Sequence, residues 1–440
     1  MARSEALPLR TTLRKLFPST WITSTARDAR AVVRERKVDI VSFFWTLVLG
    51  FGVGRSRTLA NLRRAYQKTT GQTIEESSFY DRFTDGLVGL LKRAVVQALG
   101  TTLGVGRALR GPLAAFRDVI LTDSTVVRLH DLLAKAFPAC RTNHTKAALK
   151  AHVILSVRGA GKQSVKVTAE RAHDGPVFLV GQWVKDHLLI FDLGYFRYQL
   201  FACITRNGGY FLSRLKAHAN PRIVAINRSH RGRAVPVVGE RLRTVTDRLK
   251  RGVLDVWVEV EFPHRQYAGR VHRATQRLRV VGIREGAGHH YYITNIPPEK
   301  LAAEDIRATY ALRWQIELLF KELKSHYRLE DLPSGKRPVV EALLHAAILT
   351  LVVSRRLLTL IRERLGALAE RVPTQRWAAL FQSVAQELLL ALVAPLRETG
   401  RLVARISDTL LHEAVDPNRS RLPLLRAVEE RAHRYRANLA

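Results

Sequence analysis

The chain has 440 residues, 47% of them hydrophobic and 25% charged. That suits a folded protein of roughly two to four domains and excludes a disordered one. It carries 72 Lys and Arg against 38 Asp and Glu, a net charge of +34, so a polyanionic partner is expected: nucleic acid first, an anionic membrane surface as the alternative.

Two cysteines, Cys140 and Cys203, exclude a disulfide framework and a four-thiolate zinc site and fit a reducing cytosol. The N-terminus, MARSEALPLRTTLRKLF, lacks the apolar stretch and cleavage site of a secretory signal. Residues 1 to about 110 read as helical, with a charged helix over 27–36 and an apolar one over 39–49. Segments 56–67 and 74–83 flank a turn containing Gly71. With Arg63, Arg64 and Lys68 near that turn, the pair suits a helix-turn-helix DNA reader, although basic helical hairpins also occur as plain bundle pieces. The longest apolar runs, 40–54 and 342–353, fall short of the roughly 20 residues that span a bilayer and are expected as buried helices.

From residue 118 the texture changes. VILTDSTVV, 119–127, is a β-branched run of strand length with Asp123 in its middle. A carboxylate there needs a partner or a metal, unless the strand ends at Thr122 and Asp123 opens a turn. Runs 146–157 and 163–169 read as strands around a turn at Gly159 and Gly161, and 175–183 as a helix. In LLIFDLGY, 188–195, four apolar residues lead to Asp192: a buried strand with an acid at its carboxyl end, where open sheets place their sites. Between 206 and 251 twelve Lys and Arg stand against Glu240 and Asp247, a basic apron suited to phosphate backbone. Strand-like pieces follow at 254–262, 277–283 and 291–296. The first alternates Val256, Val258 and Val260 with Trp257, Glu259 and Glu261.

TYALRWQIELLFKELKSH, 309–326, reads as one helix. At about 100° per residue, Tyr310, Arg313, Glu317 and Lys324 share a stripe within about 60°. Leu312, Ile316, Leu319, Phe320 and Leu323 form the opposite, apolar side. A carboxylate flanked by a phenol, a guanidinium and an ammonium is either a solvated face with i,i+4 pairs or a site holding metal and phosphate together. A loop over 331–338 follows, then helices over 339–365, 374–396, 400–413 and 422–438. Their apolar faces, Leu388 and Leu392 among them, imply bundle packing and a partner chain. No P-loop, nucleotide fingerprint or zinc spacing appears. His152, His173 and His218 are expected as surface or core residues, not ligands.

The spacing Y-x(2)-R-x(3)-E-x(6)-K resembles the YREK motif of bacterial insertion-sequence DDE transposases of the IS-four group, and DLGY resembles the block around that family's second catalytic Asp. The resemblance covers about 118–332. It implies a ribonuclease H-like α/β fold: a mixed sheet with helices on both faces, Asp123 on the first strand, Asp192 after the fourth, and Glu317 on a helix packed across the sheet. A β-rich insertion precedes that helix, and the N- and C-terminal regions are helical. The expected divisions are a DNA-binding region at 1–110, the first part of the core at 111–205, the basic insertion at 206–300, the catalytic helix and end of the core at 301–365, and a C-terminal, dimerising region at 366–440.

The resemblance further implies that Asp123, Asp192 and Glu317 are catalytic and hold two Mg²⁺, about 3.5–4 Å apart and replaceable by Mn²⁺, for phosphodiester hydrolysis and transesterification. Arg313 and Lys324 would hold phosphates near the cut, and Tyr310 would bond a phosphate or stack on a displaced base. Arg214 and Lys216 of the apron, and Lys146, Lys150 and His152 at strand-compatible spacing, are expected to add DNA contacts. The partners are the element's terminal inverted repeats and target DNA, bound by a homodimer with no membrane involvement, in the cytoplasm and at the nucleoid when on DNA. Alternatives are a ribonuclease H-like nuclease without end specificity or joining, and a non-catalytic DNA-binding regulator derived from a transposase. A basic RNA-binding structural protein would carry its charge on flexible tails.

Overall fold

The computed structural model describes residues 6–418 apart from 34–37, 52–57, 103–108, 143–144, 159–162, 173, 229–235, 247–248, 250–251, 268–269, 287, 331 and 333. The predicted turn at Gly159 and Gly161, the apron's Arg231, Arg233, Asp247, Arg248, Lys250 and Arg251, His173, and the predicted helix over 422–438 lie outside the described residues.

The chain opens on helices: α1 (Leu9–Leu16), α2 (Ser19–Asp28), α3 (Ile40–Leu49), α4 (Leu59–Thr70), α5 (Glu76–Tyr80) and α6 (Asp85–Thr102). The apolar α3 starts where Asp39 accepts hydrogen bonds from the Ser42 backbone N–H at 2.8 Å and its hydroxyl at 2.6 Å, a side-chain cap. In its described part, 27–33, the charged helix expected over 27–36 is not formed: α2 stops at Asp28, and Arg30 takes φ 56°, a left-handed conformation that ends a helix. α4 ends at Gly71 with φ 70°. The second helix of the expected DNA-reading pair, α5, is only five residues long. Arg63 turns inward to the Ile74 carbonyl at 3.3 Å and to Glu76 at 3.5 Å.

The middle of the chain is the sheet: β1 (Asp118–Leu129), β2 (Pro138–Thr142), β3 (Thr145–Ser156), β4 (Ser164–Ala169), the short α7 (Asp174–Val177), β5 (His187–Phe191), α8 (Tyr198–Arg206), β6 (Tyr210–Arg214), β7 (Arg222–Ile226), α9 (Leu242–Thr246), β8 (Val253–Tyr267), β9 (Arg270–Glu285) and β10 (Gly288–Thr294). The helix expected over 175–183 reduces to α7 and a 3-10 turn at Gln182–Val184. Gly181 has extended backbone ahead of that turn and interrupts the helical run.

The strands form one mixed sheet in the order β2-β3-β1-β5-β6-β10-β9-β8-β7, with β4 beside β3. β1 runs parallel to β5 and antiparallel to β3, and β5 runs parallel to β6. The β-rich stretch before the Glu317 helix continues this sheet, because β10 pairs antiparallel with β6. Asp192 follows the fifth strand in chain order, not the fourth, since the short β2 adds to the count.

Helices return as α10 (Ala303–Ala311), α11 (Trp314–Ser325), α12 (Arg337–Leu365), α13 (Thr374–Val393) and α14 (Leu396–Ala414). Side-chain alternation decides which face each strand gives to them. Val119, Leu121, Val127, Leu188 and Ile190 join the N- and C-terminal helices in one core, while Ile120, Leu189 and Phe191 join α8 and the valines of β8 in the other. Helices therefore cover both faces. α12 is longer than the apolar run that marked it. By length and composition it could cross a membrane, but 78% of its most apolar window is buried inside the protein.

Candidate active site

Sheet register puts the two aspartates side by side. The parallel β1–β5 ladder ends at Thr122↔Phe191, so Asp123 and Asp192 are the next residue on each strand. β1 does not stop there. It continues against β3, with Asp123 opposite Val153, to Leu129, which removes the turn alternative for Asp123. Asp192 leaves β5 and opens the 3-10 turn Leu193–Tyr195. By parity Asp123 shares the face of Val119 and Leu121, the face that α11 covers.

The single helix expected over 309–326 is two helices joined by a tighter turn. Leu312 and Arg313 donate to Thr309 and Tyr310 at 3.2 and 3.1 Å, and Gln315 and Ile316 donate to Leu312 and Arg313 at 3.0 and 3.1 Å. These are i→i+3 bonds, which wind the chain faster than an α-helix and break the expected stripe. Tyr310 consequently leaves it. Its ring is 7% exposed and 5.3 Å from that of Tyr292, and its hydroxyl is buried with no hydrogen-bond partner. Burial pushes this phenol up to about 12. Past the joint, Ile316, Phe320 and Leu323 are buried. Each such side chain contributes about 1.5–3 kcal/mol, enough together to hold α11 on β1 with Glu317 facing the aspartates.

Arg313 occupies the centre. Its Nη1 is 2.5 Å from Glu317, 3.5 Å from Asp123 and 4.0 Å from Asp192. Since one nitrogen reaches all three, no two of these carboxylate oxygens are further apart than twice the longest of those distances. Burial is the largest influence on Asp123 and pushes it up to about 6. The Ser124 N–H and Arg313 oppose that rise, and Asp192 and Glu317 add to it. Burial works against the Arg313 charge, but Tyr310, Glu317 and Asp192 outweigh it and raise the guanidinium above its ordinary value.

Three hard-oxygen donors around a single cationic centre are the donor set that suits a small divalent ion. Among the described residues no three acid, thiol or imidazole groups stand at metal-ligand spacing. The cation they share in this arrangement is Arg313.

The other predicted contacts divide. Lys324 Nζ lies on the Val126 carbonyl at 3.0 Å and on Glu330 at 2.9 Å, beside β1 and near the acids. Arg214 follows Ser213, the last β6 residue paired to β5, and so stands next to Asp192 at the sheet edge. Its guanidinium meets His290 Nδ1 at 2.6 Å, and His290 Nε2 meets Glu285 at 3.0 Å. Lys216 lies over the Phe196 ring at 5.2 Å, four residues past Asp192. Lys150 is half-buried, its ammonium on Asp174 at 3.4 Å and the Ala172 carbonyl at 3.1 Å. Lys146 is exposed, but it lies seven residues along β3 from Val153, the partner of Asp123, on the order of 24 Å away. It is not brought to the site.

Sequence reasoning missed Asp174 and Tyr195, which with His152 pack behind the acids. His152 is buried, as expected of a core histidine, with Nε2 2.8 Å from Thr168 Oγ1 and Nδ1 3.4 Å from Tyr195 Oη. Asp174 sits in a Gly/Pro segment, and no local signal marks it.

Comparison with known proteins bears on this arrangement. A model of the transposase DDE domain matches residues 114–353. The transposase for insertion sequence element IS1151 of Clostridium perfringens is 19% identical over 379 residues, 78% of this chain and 78% of the relative. The transposase for IS231F of Bacillus thuringiensis subsp. israelensis is 21% identical over 385 residues, 79% of each chain. The transposase for IS421 of Escherichia coli is 40% identical over 65 residues, 15% of this chain and 18% of the relative.

Proposed function

The chain belongs to the DDE transposase family, an insertion-sequence transposase acting on DNA, and from that premise we propose that Asp123, Asp192 and Glu317 are its catalytic carboxylates. The observation that carries the reading is the single Arg313 nitrogen within 4.0 Å of all three. The fold is read as ribonuclease H-like, with 206–300 as the family's β-rich insertion grown onto the core sheet, and the motif places the chain in the IS-four group.

The same three carboxylates would hold Mg²⁺, two ions per site with Mn²⁺ able to replace it. When bound, the ions supply the Lewis acidity that readies a water or a 3′-hydroxyl for in-line attack and offset charge on the departing 3′-oxygen. The protein's share is positioning. β1 and β5 bring two acids to neighbouring positions, and α11 brings the third across them. Arg313 and Lys324 lie where they can take phosphate oxygens flanking the cut, Arg313 as a fork and Lys324 as a point charge. Arg214 and Lys216 extend that positive edge past Asp192. Tyr310, with its hydroxyl buried, supports Arg313 from 5.6 Å and is not read as a phosphate contact. The DNA reaction is nicking at the element's end, release, and joining of the freed 3′-hydroxyl to target DNA. Two ends must be cut in one complex, so a dimer is expected on DNA, with the C-terminal helices as its contact.

The test is Glu317→Gln with end-containing DNA and Mg²⁺. DNA binding should persist and strand cleavage should vanish. Cleavage at the wild-type rate would remove Glu317 from the site.

A further inference from the structure

Asp192 has no ladder partner holding it to β1, since the parallel pairing stops one residue earlier, and its side chain is 41% exposed. A metal-binding pair needs its members held within about 0.5 Å of the working geometry. Something other than the sheet must register the Asp192 turn against Asp123.

Asp174, at the start of α7, lies between the β1 strand and the Asp192 turn. Its Oδ1 accepts from the Ser124 hydroxyl at 3.1 Å and lies 3.3 Å from His152 Nδ1 and 3.4 Å from Lys150 Nζ. Ser124 adjoins Asp123 and is the register partner of His152, so these groups report the position of β1 and β3 at the site. Its Oδ2 faces the other way. A Cβ built on Gly194, two residues past Asp192, would lie 2.8 Å from that oxygen, so a side chain there would have to push the Asp174 carboxylate aside. Burial works against the charge on Asp174, but the His152 hydrogen bond and the Lys150 charge outweigh it and hold the carboxyl below its ordinary range. Asp174 thus has an ammonium of its own in Lys150, unlike the three acids that share Arg313.

Resting on the catalytic reading above, we propose that Asp174 is a positioning residue for the metal centre: one carboxylate, anchored by Ser124, His152 and Lys150, that locks the Asp192 turn against the Asp123 strand. Lys150 then acts through Asp174 and not through DNA. Supporting groups of this kind typically alter metal affinity 10–100-fold when changed.

The experiment measures Mn²⁺ binding to the full-length protein by electron paramagnetic resonance, with melting temperature recorded alongside. Asp174→Asn and Gly194→Ala perturb the lock from its two sides. Each should weaken Mn²⁺ about tenfold or more, while the protein stays folded and binds duplex DNA as before. Wild-type Mn²⁺ affinity in both variants overturns the proposal, as does a loss as complete as that of Asp123→Asn, which would make Asp174 a ligand. If Asp174→Asn fails to fold, Gly194→Ala decides, because it leaves the anchoring side intact. Asp123→Asn separates the two levels. If it leaves Mn²⁺ binding unchanged, or the wild type binds none, the metal-site reading itself falls; if it abolishes binding while the lock variants do not move it, only the Asp174 proposal falls.

Discussion

Replacing Arg313 with Gln tests the charge balance at the centre of the site. The wild-type guanidinium is 12% exposed and lies 2.5, 3.5 and 4.0 Å from three carboxylates. At the effective dielectric of a protein surface one such pair at 4 Å is worth about 4 kcal/mol before desolvation is counted. Removing one partner from a buried pair costs about 3–5 kcal/mol. Water reaches Glu317 and Asp192, whose side chains are 32% and 41% exposed, and screening discounts that cost to about 2–3 kcal/mol at neutral pH in EDTA. The cost should shrink as pH falls through about 6, where Asp123 takes up a proton and relieves the repulsion. Denaturant unfolding in EDTA gives the first number. Adding Mn²⁺ gives the second: an ion at a hundred times its Kd returns about 2.7 kcal/mol. The variant should gain more from it than the wild type, where the ion must displace Arg313. Equal stability of the two proteins in EDTA, or equal gains with Mn²⁺, would refute the claim that Arg313 serves as the counter-ion of these acids.

Lys324→Met should cost under about 1 kcal/mol of stability, because its ammonium is partly exposed, yet lower strand cleavage at least tenfold; unchanged cleavage with end DNA removes it from the phosphate contacts. Arg279→Met should cost about 3–5 kcal/mol in denaturant unfolding. The fully buried guanidinium holds Asp255 through bonds of 2.6 and 2.8 Å and donates to the Ile296 and Leu301 carbonyls ahead of α10, so its loss strands a buried acid; adding Asp255→Val should recover most of the deficit. His345 is fully buried, donates from Nδ1 to the Glu341 carbonyl at 2.5 Å, and is pushed down to about 4 by burial. Its folded value lies below the unfolded one of about 6.5, so the unfolded chain takes the proton first. Stability should therefore fall as pH drops from about 6.5 to 4, by on the order of 3 kcal/mol in all. A His345→Leu variant should lose that part of the pH dependence, and an identical profile would place the titration elsewhere.

The legible parts of this fold are those where one local pattern had one physical solution. VILTDSTVV reads as a strand from its β-branched residues, with only the turn at Asp123 left to the β3 ladder to decide, and LLIFD reads as a buried strand with its acid at the carboxyl end. With Ile316, Phe320 and Leu323 required inside, Glu317 had to face outward. The illegible parts depend on partners distant in sequence. Tyr310 followed the helical stripe on paper because 100° per residue was assumed throughout, and four i→i+3 bonds at Leu312–Ile316 undo that assumption. Lys146 and Lys150 share one strand, yet register sends the first far from the acids and the second onto Asp174. Spacing along a strand does not say where on the sheet the site lies.

A chain of net charge +34 gathers three carboxylates at one point. A long-range positive field lowers the cost of gathering acids, but it is screened beyond about 8–10 Å at physiological salt. Close convergence therefore needs a fixed local cation. Arg313 supplies it from the turn that precedes Glu317, so the tightened α10–α11 joint and the charge balance of the site are one structural feature. An insertion or Pro at Leu312 should consequently weaken the site even though it removes no charged group: Pro there would delete the Leu312 N–H bond to Thr309 and shift Arg313 relative to the acids. Cleavage and the response of unfolding to Mn²⁺ should both change, whereas binding of duplex DNA should not.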